Sequence, residues 1–260
     1  MTQASVRTPL HRSHLMRFLT EQGMVEAAVP VADVGVRLGE WLDFRQAITL
    51  HGVLNPETAT QATESAAPTR RAGVMTGEAL SRYVDKFRAQ WVQSIAQGGA
   101  PGPGLTRIEM PPAELDAPVE LKTAFEPYRR FYAAHQRQME TAVRNLRSQV
   151  RGQLNKSSKA LQQLATLDAA FENILSEREA VLLGKVPKLL EKRFAQALKQ
   201  HIKKHAESPA AEEARPEQPL IWLMALRQDL RSALLAELDT RMQPTLGLLE
   251  AFNADNTTKQ

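Results

Sequence analysis

A chain of 260 residues with 33 Lys+Arg against 29 Asp+Glu and only 5% aromatic residues has material for one large domain or two small ones, but little of what fills a large globular core. The absence of cysteine excludes disulfides and thiolate metal sites, and the longest apolar run, Leu220 to Leu226, is too short to cross a bilayer. No stretch alternates with period two, while Ala, Leu, Gln, Arg, Lys and Glu dominate. The expected fold is therefore all-α: an elongated helical protein with a long coiled-coil-like helix or a helical hairpin, and a small N-terminal helical module.

Residues 1–54 read as that module. Thr8-Pro9 is an N-cap followed by a first-turn proline, with Leu10, His14, Leu15, Phe18 and Leu19 on one face and Gly23 as the stop. A second helix is expected from Val31 to Leu42, with Trp41 in its core face. Asp43 with Gln46 has capping-box spacing and opens a short helix that stops at Gly52. Residues 55–73 are Pro/Ala/Thr/Ser/Glu-rich and read as a linker. Residues 74–97 form an amphipathic helix carrying Leu80, Tyr83, Val84, Phe87, Trp91 and Ile95, ended by Gly98-Gly99. Residues 98–117, with Pro101, Pro103, Pro111 and Pro112 among glycines, read as an irregular, exposed linker.

Residues 118–205 make the long basic helical region. Tyr128, Tyr132, His135, Met139, Val143, Leu146, Val150 and Leu154 recur at helical spacing, with Pro127 as a kink or a fresh start. Arg130, Arg137, Arg144 and Arg151 recur every seven residues, a step that drifts by only about −20°, and form a stripe opposite that seam. Beyond Asn155 to Ser158 the apolar pattern resumes at Leu161. A continuous rod of about 100 Å is preferred over a hairpin, because serines cost a helix little while turns recruit Gly or Pro. After Gly184 and Pro187 a new helix carries Val186, Leu190, Phe194, Ala197 and His201 on one side. Lys185, Lys188, Lys192, Lys199 and Lys203 lie on the other, within about 60° of one another. Residues 206–218 are an acidic linker, 219–252 an apolar C-terminal helix halted at Pro244, and 253–260 a polar, frayed tail.

The net charge of +4 hides an asymmetry. Residues 127–160 hold 8 Lys+Arg and 1 Asp+Glu, and residues 185–205 hold 7 and 1, so these two segments are +7 and +6 while the remainder of the chain is −9. Solvated helix faces normally mix signs for pairing at i, i+4. Fifteen cations against two anions is not mixed, and points to an anionic partner. Enzymatic constellations are thin: there is no phosphate loop, no Gly-x-Gly-x-x-Gly and no Gly-x-Ser-x-Gly. The prolines of Gly98 to Gly104 remove the N–H donors a phosphate would need. His201 and His205 have metal spacing but lie among lysines, with no third ligand in evidence. Neither catalysis nor a cofactor is expected.

The segments Arg7-Thr-Pro-Leu-His11, Arg37-Leu-Gly-Glu-Trp-Leu-Asp43 and Ala47-Ile-Thr-Leu50 resemble a proteobacterial family carrying only a domain-of-unknown-function label, number 3348. The similarity runs along the chain, through a proline-rich middle and a basic helical second half. Members of that family resemble an accessory component of type III Zorya anti-phage defence systems, encoded beside a motor-stator-like membrane protein and an OmpA-like peptidoglycan-binding protein. The resemblance implies a cytoplasmic, non-enzymatic partner of a membrane complex and carries over no catalytic residue.

The expected contacts to duplex nucleic-acid backbone are Arg130, Arg137, Arg144, Arg147, Arg151, Lys185, Lys188, Lys192, Lys199 and Lys203, in a chain that self-associates through its apolar faces. The alternative is a scaffold whose basic rod docks onto an acidic partner. A plain solvated face is the remaining reading.

Overall fold

The computed structural model describes residues 13–26, 34–55, 73–102, 104–115, 123–207 and 221–257. Among these the chain is all-helical, in the order α1 (His14–Glu21), α2 (Val34–Trp41), α3 (Phe44–Leu54), α4 (Gly77–Gln97), α5 (Glu126–Leu154), α6 (Lys159–Leu183), α7 (Val186–Glu207) and α8 (Ile221–Thr257). One isolated bridge, Gly99 to Ile108, is the only extended pairing among them. The linkers expected at 55–73 and 206–218, the helix start at Thr8-Pro9 and the region around Pro118 lie wholly or mainly outside the described residues.

The helices group into two compact units, residues 1–28, 89–140 and 183–240 in the first and 29–88, 141–182 and 241–260 in the second. The three N-terminal helices, expected together as residues 1–54, are thereby divided: α1 belongs to the first unit, α2 and α3 to the second.

In the first unit the start of α5, all of α7 and the start of α8 bury their apolar faces around an aromatic cluster. Phe194 of α7 lies 5.3 Å from Phe125, 6.1 Å from Tyr128 and 5.5 Å from Trp222, centroid to centroid. Pro127 sits in the first turn of α5, where no helical N–H is required of it, so it starts this helix rather than kinking it. α1 adds Leu15 and Leu19 to the core and stops at Gly23 (φ 64°), where Met24 N–H donates to the Leu19 carbonyl (2.8 Å). A polar knot lies in the same core. Glu237, with no exposed surface, accepts from the Tyr132 hydroxyl (3.0 Å) and Gln136 Nε2 (2.9 Å). Residues 98–102 and 104–115 are irregular, yet they are not a loose tether. Ile108 is buried, Gln138 Nε2 donates to the Thr106 carbonyl (3.1 Å), and the Tyr128 hydroxyl donates to the Pro112 carbonyl (2.6 Å).

In the second unit the preferred continuous rod is replaced by a hairpin. α5 ends at Leu154, residues 155–158 turn, and α6 runs back antiparallel. The serines act as terminus signals rather than tolerated helix interior. Ser158 Oγ accepts from the Leu161 N–H (3.3 Å) as the N-cap of α6, and Ser157 Oγ donates to the Gln153 carbonyl (3.0 Å). α4 is capped in the same way by Thr76, whose Oγ1 accepts from the Ala79 N–H (3.2 Å).

The expected halt of the last helix at Pro244 is also overturned: α8 passes through that proline to Thr257. A proline inside a helix costs about 3 kcal/mol. Leu248, Leu249 and Phe252, all buried beyond it, contribute about 1.5–3 kcal/mol each and outweigh that cost. Pro244 itself is exposed, so the carbonyl it orphans lies on a face that water can reach. Of the tail expected to fray from Asn253, residues 253–257 instead continue α8, with Asn253 Nδ2 donating to Ser81 Oγ (3.1 Å) and Asp255 accepting from Ser158 Oγ (3.0 Å); residues 258–260 lie outside the described residues.

The capping box at α3 forms as the spacing predicts, with Gln46 N–H donating to Asp43 Oδ1 (2.7 Å) and Asp43 N–H to Gln46 Oε1 (3.1 Å). α3 then runs past Gly52 to Leu54 and buries no residue at all. Trp41, expected in a core, is instead 38% exposed, with the Arg178 guanidinium 5.4 Å over its ring and Arg178 Nη2 donating to its carbonyl (3.1 Å).

Candidate nucleic-acid interface

α7 carries the more uniform of the two basic faces. Its apolar side, Val186, Leu190, Phe194 and Leu198, is buried in the first unit, and the rotation this imposes leaves Lys188, Lys192, Lys199 and Lys203 exposed on the other side. Lys185 is exposed in the turn before the helix, where its carbonyl accepts from the Lys188 and Leu189 N–H groups (3.1 and 3.2 Å). Two charged residues leave this row to serve neighbouring helices. Glu191 pairs with Arg129 of α5. Arg193 Nε pairs with Asp229 of α8 (2.7 Å), while its Nη1 donates to the Gln22 carbonyl at the end of α1 (3.1 Å). Burial pushes the Asp229 carboxyl above its ordinary pKa, against the pull of the Arg193 charge. Glu191 is the only carboxylate between Lys185 and Lys204 in sequence, and it turns to Arg129 of α5.

The arginines of α5 do not behave as one stripe. In the first unit Arg130 is exposed and donates from Nε to Glu126 Oε1 (3.0 Å), and Arg137 is exposed one heptad later. Both line a groove of about 490 Å³ whose other wall is the segment Thr106 to Glu109. In the second unit Arg144 is exposed, but Arg147 and Arg151 turn into the hairpin. Arg147 holds Asp168 with two parallel bonds, Nε to Oδ2 (2.8 Å) and Nη2 to Oδ1 (2.6 Å). Arg151 reaches Asp168 Oδ2 from Nη1 (2.9 Å) and Glu172 Oε2 from Nη2 (2.6 Å). These four side chains are 10–15% exposed. Burial opposes the charge of Arg151, but the hydrogen bonds and negative charges of Asp168 and Glu172 outweigh it and raise its pKa further above the usual arginine value.

The expectation that Arg147 and Arg151 present open charge is therefore not met. Three heptad steps rotate Arg151 by about 60° from Arg130, toward the partner helix, and the long side chain covers the rest. A signal for this was present in the chain. Arg147 and Arg151 are four apart, Asp168 and Glu172 are four apart, and the two sets are mirror images in sequence about the start of α6.

Other candidates converge on nothing. The His201 ring lies 5.7 Å from that of Trp222, and the side chain of His205 lies outside the described residues. Among the described residues no three His, Cys, Asp or Glu side chains are placed to hold a metal. No helix among them is long and apolar enough to cross a membrane.

A family model described as "Protein of unknown function (DUF3348)" matches residues 1–254. The chain belongs to this family. Membership covers the hairpin, both basic faces and all but the end of α8, so the architecture above is that of the family's domain as this chain presents it. No curated protein and no solved structure matches the chain.

Proposed function

We propose that this DUF3348 protein is a non-enzymatic, cytoplasmic accessory component of a bacterial anti-phage defence system of the type III Zorya kind, and that it binds duplex nucleic-acid backbone without sequence preference. The observation that carries the reading is the exposed lysine row of α7, Lys185, Lys188, Lys192, Lys199 and Lys203, on the side of the helix away from its buried apolar face. Lysines are mobile point charges suited to phosphates rather than to base edges. No aromatic is exposed among them, which disfavours stacking on unpaired bases. Arg130, Arg137 and Arg144 extend the same chemistry along α5. Motor-stator-like and OmpA-like membrane proteins are the partners this setting supplies. Self-association is supported by the uncovered apolar side chains of α3, Phe44, Ile48 and Leu54.

The test is duplex DNA binding across a salt series with Lys188, Lys192 and Lys199 changed to glutamate. Each phosphate contact contributes about 0.9 to the slope of log affinity against log salt, so the triple variant lowers the slope by about 2–3. Absence of binding at low salt, or an unchanged slope, rejects the reading. An acidic protein partner would meet the same lysines, and nuclease-resistant co-purification that depends on them would favour that scaffold instead.

A further inference from the structure

We infer that the groove between the Thr106–Glu109 segment and α5 is a seat for a phosphate ester, gripped by Arg107 from the loop and by Arg130 and Arg137 from the helix. The inference rests on the reading of the protein as a phosphate-backbone binder and gives that activity a built site. Three arginines from two separate elements line one concavity of about 490 Å³, with Glu109 the only carboxylate among the lining residues. Positive charge gathered in a concave site concentrates the field on a bound anion more than the same charge spread along a convex helix.

The wall that carries Arg107 is held in place despite its Pro/Gly-rich surroundings. Thr106 is bonded through its carbonyl to Gln138 of α5, and Ile108 is buried and bridged to Gly99. Arg107 is thus presented across from Arg130 and Arg137 by anchored neighbours on both sides, the arrangement that lowers the ordering cost of a grip.

The present partners of Arg107 and Arg130 are easily exchanged. Arg107 pairs with Glu109 at 2.7 Å and Arg130 with Glu126 at 3.0 Å, and both guanidinium groups stand in water, 70% and 79% exposed. Exposed pairs of this kind contribute about 0–1 kcal/mol. A phosphate offers forked, charge-assisted bonds to the same groups. The volume exceeds that of a phosphate alone and leaves room for the sugar of an ester, from a strand or from a free nucleotide.

The experiment compares Arg107→Ala with Arg82→Ala, which removes the same charge from an exposed arginine of α4. Each variant is titrated with a duplex over a salt series and with a mononucleotide by calorimetry. Thermal melts check folding, which an exposed arginine does not control. If the phosphate comes from a strand, Arg107→Ala lowers the duplex salt slope by about 0.9 while Arg82→Ala leaves it in place. If it comes from a free nucleotide, Arg107→Ala abolishes the calorimetric signal and leaves duplex binding alone. Equal behaviour of the two variants toward both probes overturns the inference. Should the α7 lysine variant lose duplex binding while Arg107→Ala matches Arg82→Ala throughout, the inference fails and the proposed function stands. Should the wild-type protein bind no duplex at low salt, the proposed function fails, and the mononucleotide arm alone decides the groove.

Discussion

Replacing Asp168 by alanine removes the acceptor that Arg147 and Arg151 share. Three charge-assisted bonds are lost, at 2.8, 2.6 and 2.9 Å, and two guanidinium groups that are 12–13% exposed are left with Glu172 alone. Stranding one side of a fully buried pair costs about 3–5 kcal/mol. The thin exposed edge here lets water reach part of the group, so the expected loss is about 2–4 kcal/mol. Urea denaturation followed by helical circular dichroism reads it as a lower midpoint for the transition that contains the hairpin. A double-mutant cycle with Arg151→Ala isolates the pair, and a coupling of about 1.5 kcal/mol or more is expected. The cycle also bears on binding. At temperatures where they remain folded, Arg147→Ala and Arg151→Ala keep the duplex affinity of the wild type, whereas Arg144→Ala lowers it. The reasoning is refuted if Asp168→Ala denatures with the wild type and Arg151→Ala weakens duplex binding as Arg144→Ala does.

Ser158→Ala removes both the cap of α6 and the donor to Asp255, and is expected to cost about 1 kcal/mol, read as a lower urea midpoint. Pro244→Ala restores an N–H inside α8 at an exposed position, and a rise of about 1–2 kcal/mol in stability is expected from thermal and urea melts. His135 is fully buried on α5, with Nδ1 3.1 Å from the Phe131 carbonyl and no partner at Nε2, and burial lowers its pKa. Above its unfolded pKa of about 6.5 both states are neutral and stability is flat. As the pH falls below that value the unfolded chain takes up a proton that the folded one resists, so stability declines. Melts at pH 7, 6 and 5 should show this decline in the wild type and a smaller one in His135→Leu.

Much of the helical content was legible because its signals are local. The apolar spacing of α4, α5 and α7, the glycines at 23 and 98 and the Asp43/Gln46 box each act within one or two turns, and each appears in the structure. Failures came where a distant partner decided. The serines at 157 and 158 fit a helix interior until α6 folds back and requires an N-cap, and Pro244 reads as a stop until the burial beyond it is known. Arg151 shares the charge and spacing of its exposed neighbours and Arg147 their charge, and only the mirrored acids at 168 and 172 distinguish the two. Arg107 carries no local signal of a site, because its surroundings read as linker. Its placement depends on Gln138, thirty-two residues past Thr106.

The three tryptophans are unevenly placed, and this gives each unit its own optical label. Trp91 and Trp222 belong to the first unit, where Trp91 has no exposed surface, while Trp41 belongs to the second and stands 38% exposed beneath Arg178. Iodide or acrylamide should quench Trp41 emission and leave Trp91 nearly untouched. In a Trp41→Phe chain the remaining fluorescence reports on the first unit alone, while dichroism reports the helices of both, so one titration compares the two signals.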